Sequence, residues 1–346
     1  MANLLLEIGV EEIPDSMIPG ALRSLHDGFA AQLGGLNGTI ELLDGTPRRL
    51  AMLVSGLSDK LPDANVLVSG PYLSAGAKAA EGFARKNGTT VEQLQRDQDA
   101  KGERYVYATT KIGEPALPLL QRVLPEIVQK IAWPKSMVWT GAGGMRFIRP
   151  LRWCVALLDD QVIPFALADV QTGNTTRGHR ILGSPEPLPV TFANYVQVLR
   201  QNGVILSSDE RRSRIQSQLG ADVLPDDGLL QILVYLTEWP SVIRGSFDAA
   251  YLTLPREVLS TVMRHHQRQF SVLRTGGDGL APHFVAVTNT DGDPDGLIRS
   301  GNERVLRARF NDARFFWDHD QTRPLSERVT DLSKVTWQAK LLGPFL

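Results

Sequence analysis

A few residues in this chain have types and neighbours that could carry chemistry. Two histidines adjoin at His265-His266, a histidine precedes an acid at His319-Asp320, two carboxylates adjoin at Glu11-Glu12, and glycines crowd at Gly141-Ala142-Gly143-Gly144. Each fails on spacing. Metal ligands on a helix must be three or four residues apart to point the same way, and adjacent histidines point apart. A His-Asp dipeptide of the metal-phosphohydrolase type needs further histidine ligands downstream, and no histidine follows His319. Neighbouring glutamates on an extended segment alternate faces and cannot share a proton. The glycines lead into Met145-Arg146, not into the Gly-Lys-Ser/Thr of a phosphate-binding loop, and no G-x-S-x-G elbow is present. The single cysteine, Cys154, sits in the apolar run Trp153–Leu158 and reads as a buried thiol, not a nucleophile. No catalytic residue and no metal ligand is therefore assigned on this chain. The pattern fits recognition better than self-sufficient catalysis.

What remains is arginine. Over 346 residues, Lys plus Arg is 37 and Asp plus Glu is 38, a net charge of −1 that disfavours a wholesale basic nucleic-acid binder. The total conceals a pattern. Residues 1–45 carry Glu7, Glu11, Glu12, Asp15, Asp27, Glu41 and Asp44 against Arg23 alone. Residues 127–152 carry Lys130, Lys135, Arg146, Arg149 and Arg152 with no acid, and residues 299–314 carry Arg299, Arg304, Arg307, Arg309 and Arg314 against Glu303 and Asp312. The planar guanidinium fork suits phosphate and carboxylate. Ordinary composition, with 42% hydrophobic and 22% charged residues, excludes a disordered or fibrous chain. The first residues, Met-Ala-Asn-Leu-Leu-Leu-Glu, lack the basic start of a signal peptide, and no run of 18 apolar residues is present, so a cytoplasmic protein without a membrane span is expected.

The elements that must hold these residues read as α+β. Strands are expected at 4–9, 49–54, 105–110, 204–206, 241–244, 269–274 and 283–289, with a hairpin at 153–158 and 162–167 around Asp159-Asp160. Apolar residues at three- and four-residue spacing predict helices at 18–33 (Ile18, Leu22, Leu25, Phe29, Leu33) and 115–132 (Leu119, Leu120, Val123, Ile127, Ile131). Helices are also expected at 76–86, at 90–97 with Thr89 or Thr90 as cap, and through most of 190–237. The glycines and prolines of 171–189 predict a long loop or short strands. From 302 to 342 the chain becomes all-helical, with Leu325, Val329, Leu332 and Val335 as one stripe, and it ends on the apolar Leu341–Leu346, which suggests a piece of something longer.

A series of blocks resembles one family along the whole chain. They are Leu6-Glu7-Ile8-Gly9-Val10-Glu11-Glu12-Ile13-Pro14, Thr46-Pro47-Arg48-Arg49-Leu50, Gly82-Phe83-Ala84 and Lys101-Gly102-Glu103. Next come Pro134-Lys135-Ser136-Met137-Val138-Trp139, Phe147-Ile148-Arg149-Pro150-Leu151-Arg152-Trp153 and Gly173-Asn174-Thr175-Thr176-Arg177-Gly178-His179-Arg180. Glu238-Trp239-Pro240, Leu254-Pro255-Arg256-Glu257-Val258-Leu259, His265–Phe270 and Gly301–Phe316 complete the order. The chain resembles the β subunit of the bacterial tetrameric glycyl-tRNA synthetase, over about the first half of a typical member. Phe310, where an aliphatic residue is expected, and His265 are departures. The resemblance implies an N-terminal α+β region at 1–150, an α+β region at 151–300 similar to B3/B4-type modules, and a helical segment at 301–346. Gln338 and Leu342-Gly343 would lead into an HD-like domain beyond the chain.

The resemblance also implies a role in glycine–tRNA ligation. The β subunit would support ATP-dependent attachment of glycine to tRNA(Gly) through tRNA recognition and assembly. Its partners would be the catalytic α subunit and a second β subunit in an α2β2 complex. ATP and Mg2+ would be used by the complex and no cofactor held on this chain. The candidates for tRNA or partner contact are Arg146, Arg149, Arg152, Arg177, His179, Arg304, Arg307 and Arg314, with the tryptophans as possible base-stacking surfaces. Simpler roles stand beside these: pairing of the first three arginines with Asp159, Asp160 or the N-terminal acids, and a loop-stabilising network around Arg177 and His179. At about 100° per residue, Arg307 and Arg314 share a helix face with Arg304 near it, and Arg309 lies elsewhere. The alternatives in function are an editing-type aminoacyl-tRNA hydrolase and an assembly-only module.

Overall fold

The computed structural model describes residues 1–139, 144–277 and 279–334, and of Ser333 and Lys334 only the backbone. The glycine loop at 141–143 and the expected features at Val335, Trp337, Gln338 and 341–346 lie outside the described residues. The chain forms two compact units. One comprises Met1–Gly9, Ala21–Leu43 and Ala51–Asn174, the other Val10–Gly20, Asp44–Leu50 and Thr175–Leu346.

The first unit is built on β1 (Ala2–Val10), α1 (Ile18–Leu33), β2 (Thr39–Thr46), β3 (Arg49–Leu57), β4 (Ala64–Tyr72), α2 (Ala77–Lys86), β5 (Gln95–Asp99) and β6 (Gly102–Lys111). It continues through α3 (Ala116–Gln129), β7 (Leu151–Leu158), β8 (Gln161–Val162), β9 (Ala166–Leu167) and β10 (Val170–Gly173). Its main sheet runs β2-β3-β1-β7-β10-β9, with β8 paired to β7. The apolar run of β1 is buried on both faces, as a central strand must be. Gly9 is required there, because a Cβ would lie 2.0 Å from the Trp153 ring on β7. The helices α1 and α3 meet where a Cβ on Gly28 would come 2.9 Å from Ile127. Cys154 is buried, and burial, aided by the Glu7 charge, pushes its thiol far up, so it is the inert thiol the sequence predicts.

One expectation in this unit fails. Residues 90–97 form a short 3-10 turn at Val91–Gln93 and then β5, not a helix. Residues Gln95–Asp99 pair antiparallel with β6, which in turn pairs with β4. Both β4 and β5 are largely solvent-facing and carry no apolar alternation to announce a strand.

The second unit contains β11 (Thr175–Thr176), β12 (Leu188–Pro189), α4 (Tyr195–Gln201), α5 (Ser208–Gln218), α6 (Asp227–Leu236) and β13 (Ser241–Ser246). After α7 (Arg256–Thr261) the helix widens into a π turn at Val262–His266, followed by β14 (Gln269–Leu273), β15 (Leu280–Thr288), α8 (Leu297–Asp320) and α9 (Leu325–Arg328). The sheet order is β13-β15-β14, antiparallel throughout. Its core joins Ile243, Phe284 and Met263 to Leu306 and Phe310 of α8. Phe310 is fully buried, edge-on to Phe247 at 4.9 Å, so an aromatic serves at this family position as a core anchor. The expected strand at 204–206 is instead a buried extended segment, in which the Ile205 amide donates to the Glu238 carbonyl.

Candidate functional site

The second unit contains an ionic centre that no spacing rule could announce. The turn that carries Thr46-Pro47-Arg48-Arg49 brings its arginines to Glu238. The Arg49 Nε donates to Glu238 Oε1 at 3.1 Å, and Thr46 Oγ1 donates to the same oxygen at 2.6 Å. Arg48 Nη1 lies 3.8 Å from Oε2. The side chains of Arg49 and Glu238 are 0% and 1% exposed. Burial alone would raise the Glu238 pKa, but the charge of Arg49, the Thr46 hydroxyl and the charge of Arg48 outweigh it and hold the carboxyl below its ordinary range.

The arginines also hold the glycine-flanked loop through its backbone. Arg49 Nη1 donates to the Arg177 carbonyl at 2.8 Å, and Arg48 Nη1 to the Gly178 carbonyl at 3.0 Å. The His179 ring is 3% exposed. Its Nδ1 accepts from the amides of Ile181 and Leu182 at 3.2 and 3.1 Å, which fixes the proton on Nε2. Among the described residues Nε2–H has no partner of hydrogen-bonding geometry, although Asn289 is a polar neighbour. Burial dominates and lowers the His179 pKa, so the neutral ring serves as a loop brace. The loop then closes on Asn202, whose carbonyl accepts from the His179 amide at 2.8 Å. A Cβ on Gly183 would meet that same carbonyl at 2.7 Å, so the closure requires glycine. Arg177 is half-buried, with Nη1 on the Pro185 carbonyl at 3.2 Å. The loop-stabilising network is thus present in atomic detail at both candidates.

Arg211 is a second buried arginine, and among the described residues it has no carboxylate in hydrogen-bond contact. Its guanidinium donates to the carbonyls of Val234, Ile205, Leu206 and Gly45 at 2.6–2.8 Å. These bonds tie α5 to α6, to the extended segment at 205–206 and to Gly45 near the end of β2.

The arginines singled out by charge clustering fall into different settings. In the first unit, Arg146 is exposed and donates to Ser136 Oγ at 3.2 Å, and half-buried Arg149 donates to the Ile148 carbonyl. Neither makes an ion pair among the described residues. Arg152 is exposed on β7. Trp153, on the same strand, is a core residue, and Trp133 packs edge-on to Phe147 at 5.0 Å. In the second unit, Arg304 and Arg307 of α8 are exposed and have no ion pair or side-chain hydrogen bond among the described residues. Arg314 shares their face by helical arithmetic but is engaged. It donates to the Ala250 carbonyl at 2.6 Å and stacks 4.6 Å over the Tyr251 ring. Arg309 pairs with Asp312 at 3.8 Å. Arg304 and Arg307 are therefore two exposed arginines of α8 without an internal partner among the described residues, open to an external phosphate or carboxylate.

His265 and His266 are exposed at the end of the π turn, and His319 stacks on Phe315. Among the described residues no group of three or more His, Cys, Asp and Glu side chains is placed to hold a metal ion, and no helix is long and apolar enough to cross a membrane. Arg48, Arg49 and Glu238 fall in the sequence blocks shared with the family but carry no local signal of a role, and Arg211 lies outside every such block. Their partners are far away in the chain, Arg49 and Glu238 being 189 residues apart.

The α+β scaffold thus carries a locked glycine-flanked loop and exposed arginines. The sequence model of one family, described as "Glycyl-tRNA synthetase beta subunit", matches residues 4–343. The chain is similar to the "Glycine--tRNA ligase beta subunit" of Geobacter metallireducens, 40% identical over 99% of this chain and 52% of that one. It is 41% identical to the protein of the same name from Trichlorobacter lovleyi, over 98% of this chain and 51% of that one. The corresponding protein of Acidobacterium capsulatum is 41% identical over 99% of this chain and 51% of its own length. The chain belongs to the glycyl-tRNA synthetase β subunit family. It spans about half the length of the curated relatives it matches.

Proposed function

We propose that this chain acts as part of a glycine–tRNA ligase. In this reading it supports ATP-dependent attachment of glycine to tRNA(Gly) in the cytoplasm, within an α2β2 complex whose catalytic centre lies on the α subunit. The observation that carries the reading is the family match over residues 4–343. The sequence supports the division of labour: no phosphate-binding loop and no catalytic constellation is found, and ATP and Mg2+ belong to the complex. Arg304 and Arg307 support a polyanionic partner, because exposed guanidinium groups with no internal partner among the described residues can neutralise phosphates without first breaking a native contact.

The test is reconstitution. The full-length protein is co-purified with the α subunit and assayed for glycylation of tRNA(Gly). The expected result is glycylation that requires both subunits, with no ATP–diphosphate exchange by this chain alone. Robust exchange without α would overturn the division of labour. Failure of the pair to charge tRNA would overturn the reading as a whole.

A further inference from the structure

The helix α8 is apolar on two opposite sides. Leu306 and Phe310 are fully buried in the core of the second unit. At about 100° per residue, Phe315 stands half a turn round from Leu306, on the side away from that core. Phe315 and Phe316 are 64% and 61% exposed, edge to face with each other at 5.4 Å, and the His319 ring stacks on Phe315 at 6.0 Å.

The short helix that follows adds to this surface. Arg328 Nη2 donates to the His319 carbonyl at 3.2 Å, which ties α9 to the last turn of α8. On α9, Leu325 is 86% exposed, and Val329 and Leu332 are exposed on the 3-10 turn behind it. Scattered exposed apolar side chains are ordinary. Two phenyl rings and three aliphatic side chains in water within residues 315–332 are not, and such a concentration marks an interface.

Charge narrows the class of partner. Asp318 and Asp320, in the same last turns of α8 as the rings, are exposed and make no ion pair among the described residues. Carboxylates there repel a phosphate backbone, so the face suits a protein surface and not RNA. Length identifies the occupant. The chain corresponds to the N-terminal half of the β subunit and covers 51–52% of the relatives it matches. A family member of their length carries about as much polypeptide again. We infer that the face formed by Phe315 and Phe316 of α8 with α9 is the seat on which the other half of the full-length β subunit docks. That half covers the two rings and Leu325 with an apolar surface of its own. The inference rests on the family membership and not on the glycylation reading.

The experiment puts the same substitutions into the 346-residue chain and into the full-length protein. Phe315→Ser with Phe316→Ser is expected to leave the thermal midpoint of the chain where it is, because both rings already stand in water. In the full-length protein the same pair is expected to loosen the second half. Limited trypsin digestion then cuts between the halves about tenfold faster than in the parent and leaves a fragment of the chain's own size. Leu325→Cys is the second measurement and needs no destabilisation. Cys154 is buried, so a maleimide with peptide mapping reads position 325. Labelling there is expected to be about tenfold slower in the full-length protein than in the chain. Equal labelling of the two proteins overturns the proposal, and labelling decides the matter if the double variant of the full-length protein does not fold. Unchanged digestion with loss of binding to the α subunit or to tRNA gives the face to that partner and overturns the proposal as well. So does dimerisation of the chain that the double substitution abolishes, since a second copy is then the occupant. Neither readout uses ATP or tRNA charging, so a failure of glycylation leaves the outcome legible.

Discussion

Arg49 and Arg307 are the same residue in opposite situations, and the contrast separates architecture from recognition. Arg49 is fully buried, bonded to Glu238 and to the backbone of the loop after β11. Arg307 projects from α8 with no partner among the described residues. A buried guanidinium must have every donor direction answered, or the desolvation cost stands uncompensated. An exposed one keeps its hydration and its freedom to bind something else. Counting arginines cannot distinguish the two, and the cluster at 299–314 itself splits into free (Arg304, Arg307) and engaged (Arg314) members.

The contrast can be broken most forcefully at its buried end. Glu238→Ala leaves Arg48 and Arg49 without their carboxylate, and is expected to cost about 3–5 kcal/mol in a denaturant titration. A loss as small as that of a surface ion pair would show that the centre does not organise the unit. Arg211→Met removes a charged donor from four backbone carbonyls, and about 3 kcal/mol is the expected loss by the same measurement. If it proves neutral, burial without a carboxylate partner is no constraint.

A gentler probe is pH. Glu238 has its folded pKa depressed, so it contributes stability that is fully present above the unfolded value of about 4.3 and is lost as the pH falls through the lower folded value. Thermal melts at stepped pH are expected to show that acid limb reduced in Glu238→Gln. At the exposed end, Arg304→Ala with Arg307→Ala is expected to leave the unfolding midpoint where it is. If these arginines meet tRNA phosphates, the slope of log affinity against log salt for the full-length complex falls by about 1 per arginine. An unchanged slope would move tRNA contact elsewhere.

How much of this was legible beforehand follows the same division between local and distant. α1 and α3 are readable because three- and four-residue spacing of Leu, Ile, Val and Phe encodes a buried stripe within one turn of helix. β4 and β5 are not, because a strand whose faces are largely solvated has no alternation to read, and Thr90 looks like a helix cap until pairing with β6 decides otherwise. Val204–Leu206 has strand composition but finds no ladder, only the Glu238 carbonyl. At the site, the glycines of 173–183 announce a constrained loop, and Arg177 and His179 were found there. The brace that constrains them comes from Arg48, Arg49 and Glu238, and their meeting is a tertiary event with no local periodicity.

The distance between those partners also has a consequence in time. Arg49 leaves the ribosome 189 residues before Glu238. At about 5–20 residues per second, that is roughly 10–40 s during which a guanidinium destined for the interior has no carboxylate to receive it. The first unit is complete once Asn174 has emerged, whereas the second joins the early segments Val10–Gly20 and Asp44–Leu50 to residues from Thr175 onward. Its ionic centre therefore cannot close before Glu238 has emerged, and translation speed between Arg49 and Glu238 sets how long those arginines stay open to chaperones and proteases.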